Sequence, residues 1–316
     1  VDLTLFSGKI QELKDQIASV IVGQEQTVDL VLTAILANGH VLIEGVPGVA
    51  KTLLARLTAR LIDADFSRIQ FTPDLMPSDV LGTTVFNMKT NEFDFHQGPI
   101  FADIVLVDEI NRAPAKTQAA LFEVMEERQI SIDGITHKMG ELYTILATQN
   151  PVEQEGTYKL PEAQLDRFLM KITMDYPSLE EEVNILERHH TNASLIKLDD
   201  IKPAITKEEL LSLRALMNQV FVDRTLLQYI ALIVQQTRTS KAVYLGASPR
   251  ASVAMLQSSK AYALLQGRDF VTPEDIKFVA PYVLQHRLIL TAEAEMEGYS
   301  PVKVTQRLID KVEVPK

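Results

Sequence analysis

The chain has 316 residues, of which 46% are hydrophobic and 23% charged, and its formal net charge at pH 7 is −11. This length and composition are typical of a globular protein with one large domain and a smaller one. The negative charge argues against broad binding to nucleic acid or to anionic membranes, because phosphate recognition needs a basic surface. The sequence contains no cysteine, which excludes disulfides and thiolate chemistry and argues against a zinc site.

The sequence contains no apolar run of about 18 residues, and its first residues, VDLT, show no basic segment leading into an apolar one. We therefore expect a cytoplasmic protein without a membrane partner. The first predicted elements are helices, since apolar residues recur at helical spacing over residues 10–38. The spacing is interrupted at residues 21–24.

The next feature is a phosphate-binding loop. Residues 45–52 read GVPGVAKT, follow the apolar strand pattern of residues 41–43 and precede a helical pattern. A glycine-rich turn between a strand and a helix directs backbone N–H groups and the positive helix end at one point, where a polyphosphate binds. Lys51 would reach the β- and γ-phosphates, and the Thr52 hydroxyl would bind Mg²⁺. An ordinary glycine-rich turn is the alternative.

The loop departs from the pattern G-x-x-x-x-G-K-[ST] at one position, because Ala50 stands where glycine usually precedes the lysine. We expect Ala50 to begin the following helix with a negative φ, where a methyl group is tolerated. The substitution would then make nucleotide binding slower or weaker at worst.

Strands and helices alternate up to residue 177. The predicted strands are short and lie at residues 67–71, 84–86, 92–95, 104–107, 143–147 and 168–174. A helix over residues 114–128 is followed by a hairpin that turns at Asp133 and Gly134. This alternation predicts an α/β fold with a mostly parallel sheet covered by helices on both faces.

The pattern changes after Pro177, and from residue 179 onward only helical periodicity is found. The clearest segments lie at residues 210–220, 226–238, 251–265 and 273–287. We therefore predict an α/β domain with the phosphate-binding loop over residues 1–177 and an all-helical domain over residues 178–316.

Two acids directly follow the buried strand pattern of residues 104–107. Asp108 and Glu109 would lie at the carboxyl end of a parallel strand, where ligands bind in such sheets. Asp108 would orient Mg²⁺ and its waters, and Glu109 would take the proton from an attacking water. A pair of acids that stabilises the N-terminus of the next helix is the alternative.

Gln149 and Asn150 end the next apolar strand. A neutral amide at this point could hydrogen-bond both the γ-phosphate and the attacking water. A turn formed by Asn150 and the following proline is the alternative.

Two arginines are further candidates. Arg167 lies where a helix gives way to a strand, and an ion pair with Asp166 or another neighbour is its alternative role. Arg250 follows Ser248 and Pro249, so it lies in the first turn of a helix, where the dipole opposes a cation. We expect an anion to compensate Arg250, and a bound triphosphate would do so.

These segments together resemble the MoxR group of AAA+ ATPases. The matching segments occur in family order and are GVPGVAKT (45–52), VDEINRAP (107–114), ATQNP (147–151), LPEAQLDRF (160–168) and GASPRA (246–251). The resemblance implies an AAA+ P-loop core with two hairpin insertions, the helix-2 and pre-sensor-1 insertions, and a C-terminal helical lid.

The resemblance also implies ATP and Mg²⁺ as ligands and assigns roles to residues. The expected nucleotide-binding residues are Val22, Gly23, Gly45, Val46, Pro47, Gly48, Val49, Ala50, Lys51, Thr52 and Leu53, and the metal ligands are Thr52 and Asp108. The Walker B pair is Asp108 and Glu109, the sensor-1 amide is Asn150, the arginine finger is Arg167, and the sensor-2 arginine is Arg250. The lid that carries Arg250 would report whether the γ-phosphate is present.

Members of this group form hexameric rings in which the finger enters the neighbour's site, so a monomer is expected to be nearly inactive. Arg112 is another candidate for a contact with the neighbour. The implied function is ATP-driven remodelling of a protein partner, often a von Willebrand factor A-domain protein or a metalloenzyme.

Two other functions are the alternatives. One is a nucleic-acid motor related to the MCM helicases, which the acidic hairpin tip at Asp133 disfavours because a hairpin that tracks DNA needs Lys or Arg there. The other is a nucleotide-gated scaffold without useful turnover. Glu109, Asn150 and Arg167 argue against a scaffold, since a site without hydrolysis does not need hydrolytic groups.

Overall fold

A parallel sheet of five strands forms the centre of the computed structural model, which describes residues 3–150, 157–158, 160–191 and 198–315. The strands are β1 (Val41–Gly45), β2 (Phe66–Gln70), β5 (Ile104–Asp108), β8 (Thr144–Gln149) and β9 (Met170–Met174), and their order in the sheet is β2-β5-β8-β1-β9. Their carboxyl ends form one edge, which we call the carboxyl edge, and their amino ends form the opposite amino edge. The predicted parallel sheet is confirmed.

The middle strands are buried on both faces, which explains their continuous apolar sequences. All five residues of β5 are buried because β2 and β8 flank this strand and helices cover the sheet. In the register of the sheet, Val107 pairs with Ala147 and Ile43 pairs with Thr148. The residues that end β5, β8 and β1 therefore lie side by side at the carboxyl edge.

Among the described residues, the part of the chain that contains this sheet has six α-helices. They are α1 (Leu3–Val20), α2 (Glu25–Leu36), α3 (Lys51–Leu61), α4 (Pro77–Leu81), α5 (Ala115–Glu127) and α6 (Glu162–Leu165). Helix α4 was not predicted, because five residues are too few to show a helical period. Pro77 starts it, and the Asp79 carboxylate accepts a hydrogen bond from the backbone N–H of Met76 at 2.8 Å.

Two hairpins project from this core, as the sequence predicted. One joins β3 (Gly82–Asn87) to β4 (Glu92–Gln97), and the other joins β6 (Gln129–Ile132) to β7 (Ile135–Lys138). Asp133 and Gly134 have φ values of +52° and +79°, the left-handed pair that a two-residue hairpin turn requires. The Thr84 hydroxyl donates to the Asp133 carboxylate at 2.6 Å, so the two hairpins contact each other.

The C-terminal region is helical, which confirms the prediction. Its helices are α7 (Leu179–His190), α8 (Lys207–Leu216), α9 (Arg224–Thr239), α10 (Pro249–Leu265), α11 (Pro273–Leu284), α12 (Ala292–Met296) and α13 (Pro301–Lys311). The region also contains an antiparallel pair of short strands, β10 (Val243–Leu245) and β11 (Ile289–Leu290), which the helical periodicity did not predict. Strands of three and two residues are too short for a sequence pattern.

The helical region packs closely on the core. Helix α10 packs on α2, and α11 packs against β9. Buried residues of both parts, such as Val31 of α2 and Val279 of α11, belong to one continuous hydrophobic cluster. The lid is therefore attached to the edge strand β9 over a broad apolar surface rather than through a linker alone.

Candidate functional site

The loop at residues 46–50 lies at the carboxyl edge, between the end of β1 and the start of α3. A Cβ at Gly45 would lie 2.7 Å from the Met174 carbonyl oxygen, so only glycine permits this approach of β1 to β9. Gly48 has a φ of +88°. Ala50, the N-cap residue of α3, makes no side-chain capping hydrogen bond, and the N-terminus of a helix is a site where anions bind. Lys51 donates from Nζ to the Gly45 carbonyl oxygen at 2.6 Å.

The prediction for Ala50 was wrong. Its φ is +62° and its ψ is +22°, so it adopts the left-handed conformation and caps α3 instead of beginning it. The loop closes onto the helix through this left-handed residue, which explains why the pattern usually has glycine here. An L-residue with a Cβ costs about 1–2 kcal/mol in this conformation.

A cavity of about 300 Å³ lies beside the loop. Its walls come from the junction of α1 and α2, from the loop and from α7, and they include Val22, Val49, Leu53, Ile185 and Arg188. These walls are mainly apolar, as suits the flat face of a nucleobase.

Gly23, which was also predicted to bind nucleotide, is not among the residues that line this cavity. It has a φ of +73°, and a Cβ there would lie 2.3 Å from Oε1 of Glu181 in α7. The Glu181 carboxylate is the end of a flexible side chain that can move, so it is the left-handed φ that favours glycine at this position.

Asp108 ends β5 with a buried carboxylate that has two partners. Thr148 donates its hydroxyl to Oδ1 at 2.9 Å, and Arg68 donates from Nε to Oδ2 at 2.7 Å. The Thr148 hydroxyl also accepts the backbone N–H of Glu109 at 3.0 Å. One hydroxyl on β8 therefore fixes both acids at the end of β5.

Glu109 has a φ of +56°, a left-handed turn that directs the chain away from the strand immediately after Asp108. Its Oε2 accepts a hydrogen bond from Gln70 Nε2 at 2.8 Å and lies 3.0 Å from Arg112 Nε. Both partners stand at this edge, since Gln70 ends β2. The carboxylate is thus held at Oε2 by an amide and a guanidinium.

The oxygen atoms at this edge suit Mg²⁺. Thr52, the second residue of α3, carries a hydroxyl, and Asp108 carries a carboxylate, and both are hard ligands. In the described part of the chain, no group of three or more His, Cys, Asp or Glu side chains could hold a metal alone. This set fits an ion that shares its ligands with phosphates and water.

Asn150 follows β8, the strand between β5 and β1, and is buried. It therefore lies between the acids and the phosphate loop, where the sequence placed it. Pro151, the last residue of the segment that suggested this role, lies outside the described residues.

Arg167 and Arg250 lie together at the amino edge. Both line one cavity near the start of β9. Arg167 forms an ion pair with Glu126 at 2.6 Å, and Arg250 faces the Asp166 carboxylate at 3.7 Å. The anion that compensates Arg250 is therefore Asp166, and the Arg250 side chain is otherwise 71% exposed.

The two arginines cannot reach the phosphate loop of their own chain. Arg167 precedes β9, whose Met170 pairs with Val41 and whose Met174 pairs with Gly45, and Arg250 lies beside it, 3.7 Å from Asp166. Four residues of strand span about 13 Å. The structure thus brings Lys51, Asp108, Glu109 and Asn150 together at one edge and leaves both arginines at the other.

Comparisons with known proteins show the family of this chain. Residues 40–170 match the family described as ATPase family associated with various cellular activities (AAA), and residues 235–310 match the AAA lid domain. The chain is 44% identical over 310 residues to the Mycobacterium tuberculosis protein named Chaperone MoxR1, across 95% of this chain and 81% of that protein. The chain belongs to the MoxR-type AAA+ ATPases.

Two further relatives cover nearly the whole MoxR-type chain. It is 47% identical over 317 residues to the uncharacterized protein YeaC of Bacillus subtilis, across 99% of this chain and 96% of that protein. The crystal structure of a candidate ATPase from Cytophaga hutchinsonii is 40% identical and matches with a TM-score of 0.91, across 100% of this chain and 97% of that one. The family and the fold class predicted from the sequence are confirmed.

Sequence reasoning missed several residues of this MoxR-type site. Thr148 and Gln70 stand at the ends of β8 and β2, so the rule that identified Asp108 would have found them. Arg188 lies in the wall of the cavity, but only the packing of α7 brings it there. Within the described parts of residues 3–315, no helix is long and apolar enough to cross a bilayer.

Proposed function

We propose that this protein is a cytoplasmic, Mg²⁺-dependent ATPase that assembles into a ring. It would use ATP hydrolysis to remodel a protein partner. The separation of the phosphate loop from Arg167 and Arg250 by the length of the sheet carries this proposal. Each chain has a nucleotide half-site at its carboxyl edge and an arginine half-site at its amino edge. A ring in which each subunit faces the next in the same orientation joins the two halves at every interface.

Within the nucleotide half-site, the N–H groups of the loop and Lys51 would bind the phosphates. Mg²⁺, held by the Thr52 hydroxyl and the Asp108 carboxylate through its waters, would neutralise charge on the β- and γ-phosphates. Glu109 would accept the proton of the attacking water once Gln70 and Arg112 release it. Asn150 would orient that water and the γ-phosphate.

The arginine half-site would complete catalysis in the neighbour. Phosphoryl transfer depends on positioning and charge neutralisation, and a finger supplied by a second subunit typically contributes about 10³ to 10⁵ in rate. Arg167 would serve as this finger. Arg250 would contact the same neighbour's phosphates, because it lies beside Arg167 and its side chain is largely exposed.

The two hairpins favour a protein as the partner of the motor. Phe93 is 73% exposed and Met88 86% exposed on the first hairpin, and Ile135 is 62% exposed on the second. The first hairpin carries one lysine against two carboxylates, and the second turns at Asp133. An apolar, slightly acidic surface suits an unfolded or loosely folded polypeptide, and a von Willebrand factor A-domain protein is one candidate. The name of Chaperone MoxR1 agrees with such a role.

The alternatives predict other surfaces or other kinetics. A nucleic-acid motor needs basic hairpin tips, whereas the second hairpin turns at Asp133 and the first carries a single lysine, Lys89, against the two carboxylates of Glu92 and Asp94. A scaffold that only binds ATP would not need Glu109 at the end of β5, within hydrogen-bond distance of the Gln70 amide. The protein client hypothesis therefore has the stronger support.

The test is the steady-state ATPase rate against protein concentration, with the assembly state followed by light scattering in ATP and Mg²⁺. We expect the specific activity to rise with concentration as rings form, and Glu109→Gln to abolish turnover while ATP binding, measured by calorimetry, persists. A specific activity that does not change with concentration would overturn the shared site. Binding without turnover at any concentration would favour the scaffold.

A further inference from the structure

Arg287, the third residue after α11, joins the lid to the segment that carries Arg167. Its Nε donates to the Asp166 carboxylate at 2.6 Å. Its two terminal nitrogens donate to the backbone carbonyl oxygens of Asp166 at 3.2 Å, Phe168 at 2.8 Å and Leu169 at 3.1 Å. A fourth carbonyl, that of Val283, belongs to the lid helix itself. The guanidinium thus binds the residues on both sides of Arg167 and also its own helix.

The two residues before Arg287 extend the same contact. His286 shares a hydrogen bond of 2.9 Å between Nε2 and the Phe168 carbonyl oxygen, and Gln285 donates from Nε2 to the Lys171 carbonyl oxygen at 2.5 Å. Residues 285–287 therefore follow the chain from Asp166 into the first residues of β9. We call these three side chains the lid clamp.

The lid clamp is buried, whereas the group that it positions is not. The Arg287 side chain is 4% exposed, Asp166 is 21% exposed and Arg167 is 28% exposed. Burial lowers the pKa of Arg287, and the hydrogen bond and charge of Asp166 oppose that shift. A guanidinium taken out of water needs all its partners, so this contact permits few orientations.

Asp166 connects the clamp to both arginines of the half-site. Its Oδ1 is bound by Arg287, its Oδ2 lies 3.7 Å from Arg250 Nη1, and the next residue in the chain is Arg167. Both the finger and the lid arginine are therefore placed relative to one carboxylate, and that carboxylate is fixed by the lid.

We propose that Arg287 and Asp166 are positioning residues through which the lid of each subunit sets the place of its own Arg167 in the neighbour's site. The proposal rests on the proposed function, since it takes Arg167 as the finger. When the lid rotates, Arg287 moves with it and carries along the Asp166 carboxylate and the backbone carbonyls of Asp166, Phe168 and Leu169. Arg167 is then displaced from the neighbour's phosphate. The state of one nucleotide site thereby controls hydrolysis in the next.

The C-terminal region also contacts the nucleotide cavity. Helix α7 supplies Ile185 and Arg188 to the nucleotide cavity, and Arg188 donates to the carbonyl oxygens of Ala18 at 3.0 Å and Ser19 at 2.8 Å. The C-terminal region therefore contacts the nucleotide cavity through α7 and the finger segment through the lid clamp.

The experiment uses the conservative variants Asp166→Asn and Arg287→Lys in the full-length protein. Each keeps a polar group of similar size but loses the carboxylate or the planar fork. We expect kcat to fall by about 10²-fold, the typical cost of a misplacement near 1 Å, with the KM for ATP changed less than threefold. A change that only destabilises the fold would lower the melting temperature but would not lower kcat selectively while leaving the KM for ATP nearly unchanged.

Mixed rings show in which subunit the defect acts. Glu109→Gln subunits cannot hydrolyse ATP but carry an intact finger, so mixing them with Asp166→Asn subunits should give more activity than either protein alone. The same mixture with Arg167→Ala is the reference. If mixing restores activity with Arg167→Ala but not with Asp166→Asn, the positioning role of Asp166 is overturned and the proposed function stands. If mixing does not restore activity with Arg167→Ala, both the finger role of Arg167 and the proposed function are overturned.

The matched control is Asp275→Asn. Asp275 forms a buried ion pair with Arg268 at 2.5 Å in the same lid, but this pair does not touch the finger segment. We expect Asp275→Asn to lower the melting temperature and to leave kcat, measured well below that temperature, within twofold of wild type. An equal loss of kcat in Asp275→Asn would contradict a specific role for the clamp.

Discussion

The two edges of the sheet hold their functional side chains in different ways. At the carboxyl edge, a neutral group and an arginine together hold each acid, and the N-cap residue of α3 makes no side-chain hydrogen bond. Thr148 and Arg68 bind Asp108, and Gln70 and Arg112 bind Glu109. At the amino edge, carboxylates neutralise the arginines, as Glu126 does for Arg167. The carboxyl edge is suited to binding an anion such as a phosphate. At the amino edge, carboxylates of the same chain already pair with the arginines.

The difference teaches that assembly into the proposed ring would involve an exchange of partners. Arg167 would have to leave Glu126 to act as the proposed finger, and an ion pair with exposures of 28% and 41% is weak enough to exchange. Arg287 is buried and stays in place. The exposed arginines are therefore the ones that can act on a neighbour, and the buried arginine holds their segment.

The largest expected effect comes from removing the finger. Arg167→Ala should lower kcat by about 10³-fold or more, because the neighbour's phosphate loses its compensating cation. Glu126→Gln is the control at the same edge, and it should change kcat less than about fivefold, since the ion pair is worth about 1 kcal/mol at most. Steady-state ATPase assays on assembled protein measure both. Equal losses in the two variants would assign Arg167 a structural role only.

A fall in pH should lower the free energy of unfolding, because two buried histidines lie near the amino edge. His40, at the start of β1, accepts the N–H of Ile145 at Nδ1 and contacts the Met125 carbonyl oxygen with Nε2, and burial lowers its pKa to about 3. Burial and the neighbouring Arg287 also lower the pKa of His286 well below its usual range. Both histidines are neutral in the fold and become charged on unfolding below their ordinary pKa of about 6.5.

The unfolded chain therefore binds more protons at low pH, so stability is complete above about pH 6.5 and falls as the pH is lowered. The free energy of unfolding should fall by about 2.7 kcal/mol per pH unit between pH 6 and 5, the sum for two histidines. Urea titrations at a series of pH values measure this slope. His40→Gln should halve it, and a stability that stays constant over this range would contradict the prediction.

Loss of the Thr148 hydroxyl tests the neutral partners at the carboxyl edge. Thr148→Val keeps the shape but leaves Asp108 Oδ1 and the Glu109 N–H without this partner, at a cost of about 1–3 kcal/mol for each buried group. The melting temperature should fall by roughly 2–4 °C per kcal/mol. Thr148→Ser, which keeps the hydroxyl, should melt near wild type, and equal melting of both variants would mean that the hydroxyl does not hold the acids.

The smallest effect is expected at Ala50. Ala50→Gly removes a left-handed strain of about 1–2 kcal/mol and adds the entropy cost of glycine, about 0.5–1 kcal/mol. A net gain below about 1 kcal/mol should appear in denaturant unfolding, with ATP bound at least as tightly. Asn38→Gly, at the amino edge with a φ of +57°, should gain less because asparagine tolerates this conformation. A loss of stability in Ala50→Gly would show that the φ of +62° carries no strain.

The sequence reveals the two edges to different degrees. Part of the carboxyl edge could be predicted from the sequence, because Asp108 ends an apolar strand and Glu109 and Asn150 directly follow one. The partners of Arg167 and Arg250 could not, since Glu126 and Asp166 reach them through the packing of α5, α6 and α10. Arg287 is separated from Asp166 by more than a hundred residues, and no local pattern marks that contact.

Short elements and special backbone angles were also beyond sequence patterns. The strands β10 and β11 and the helix α4 have too few residues for a period. At Ala50, the ordinary preference of alanine for negative φ gave the wrong conformation, because the geometry of the loop overrides the preference of a single residue.

The most direct test of a site shared between the two edges is a poisoning titration. A double variant, Glu109→Gln with Arg167→Ala, lacks both half-sites and is added in increasing proportion to a fixed amount of wild type. We predict that the ATPase rate per wild-type subunit falls steadily as mixed rings form, because each wild-type subunit beside a double variant loses its finger. An unchanged rate per wild-type subunit in rings shown by light scattering to be mixed would contradict the shared site.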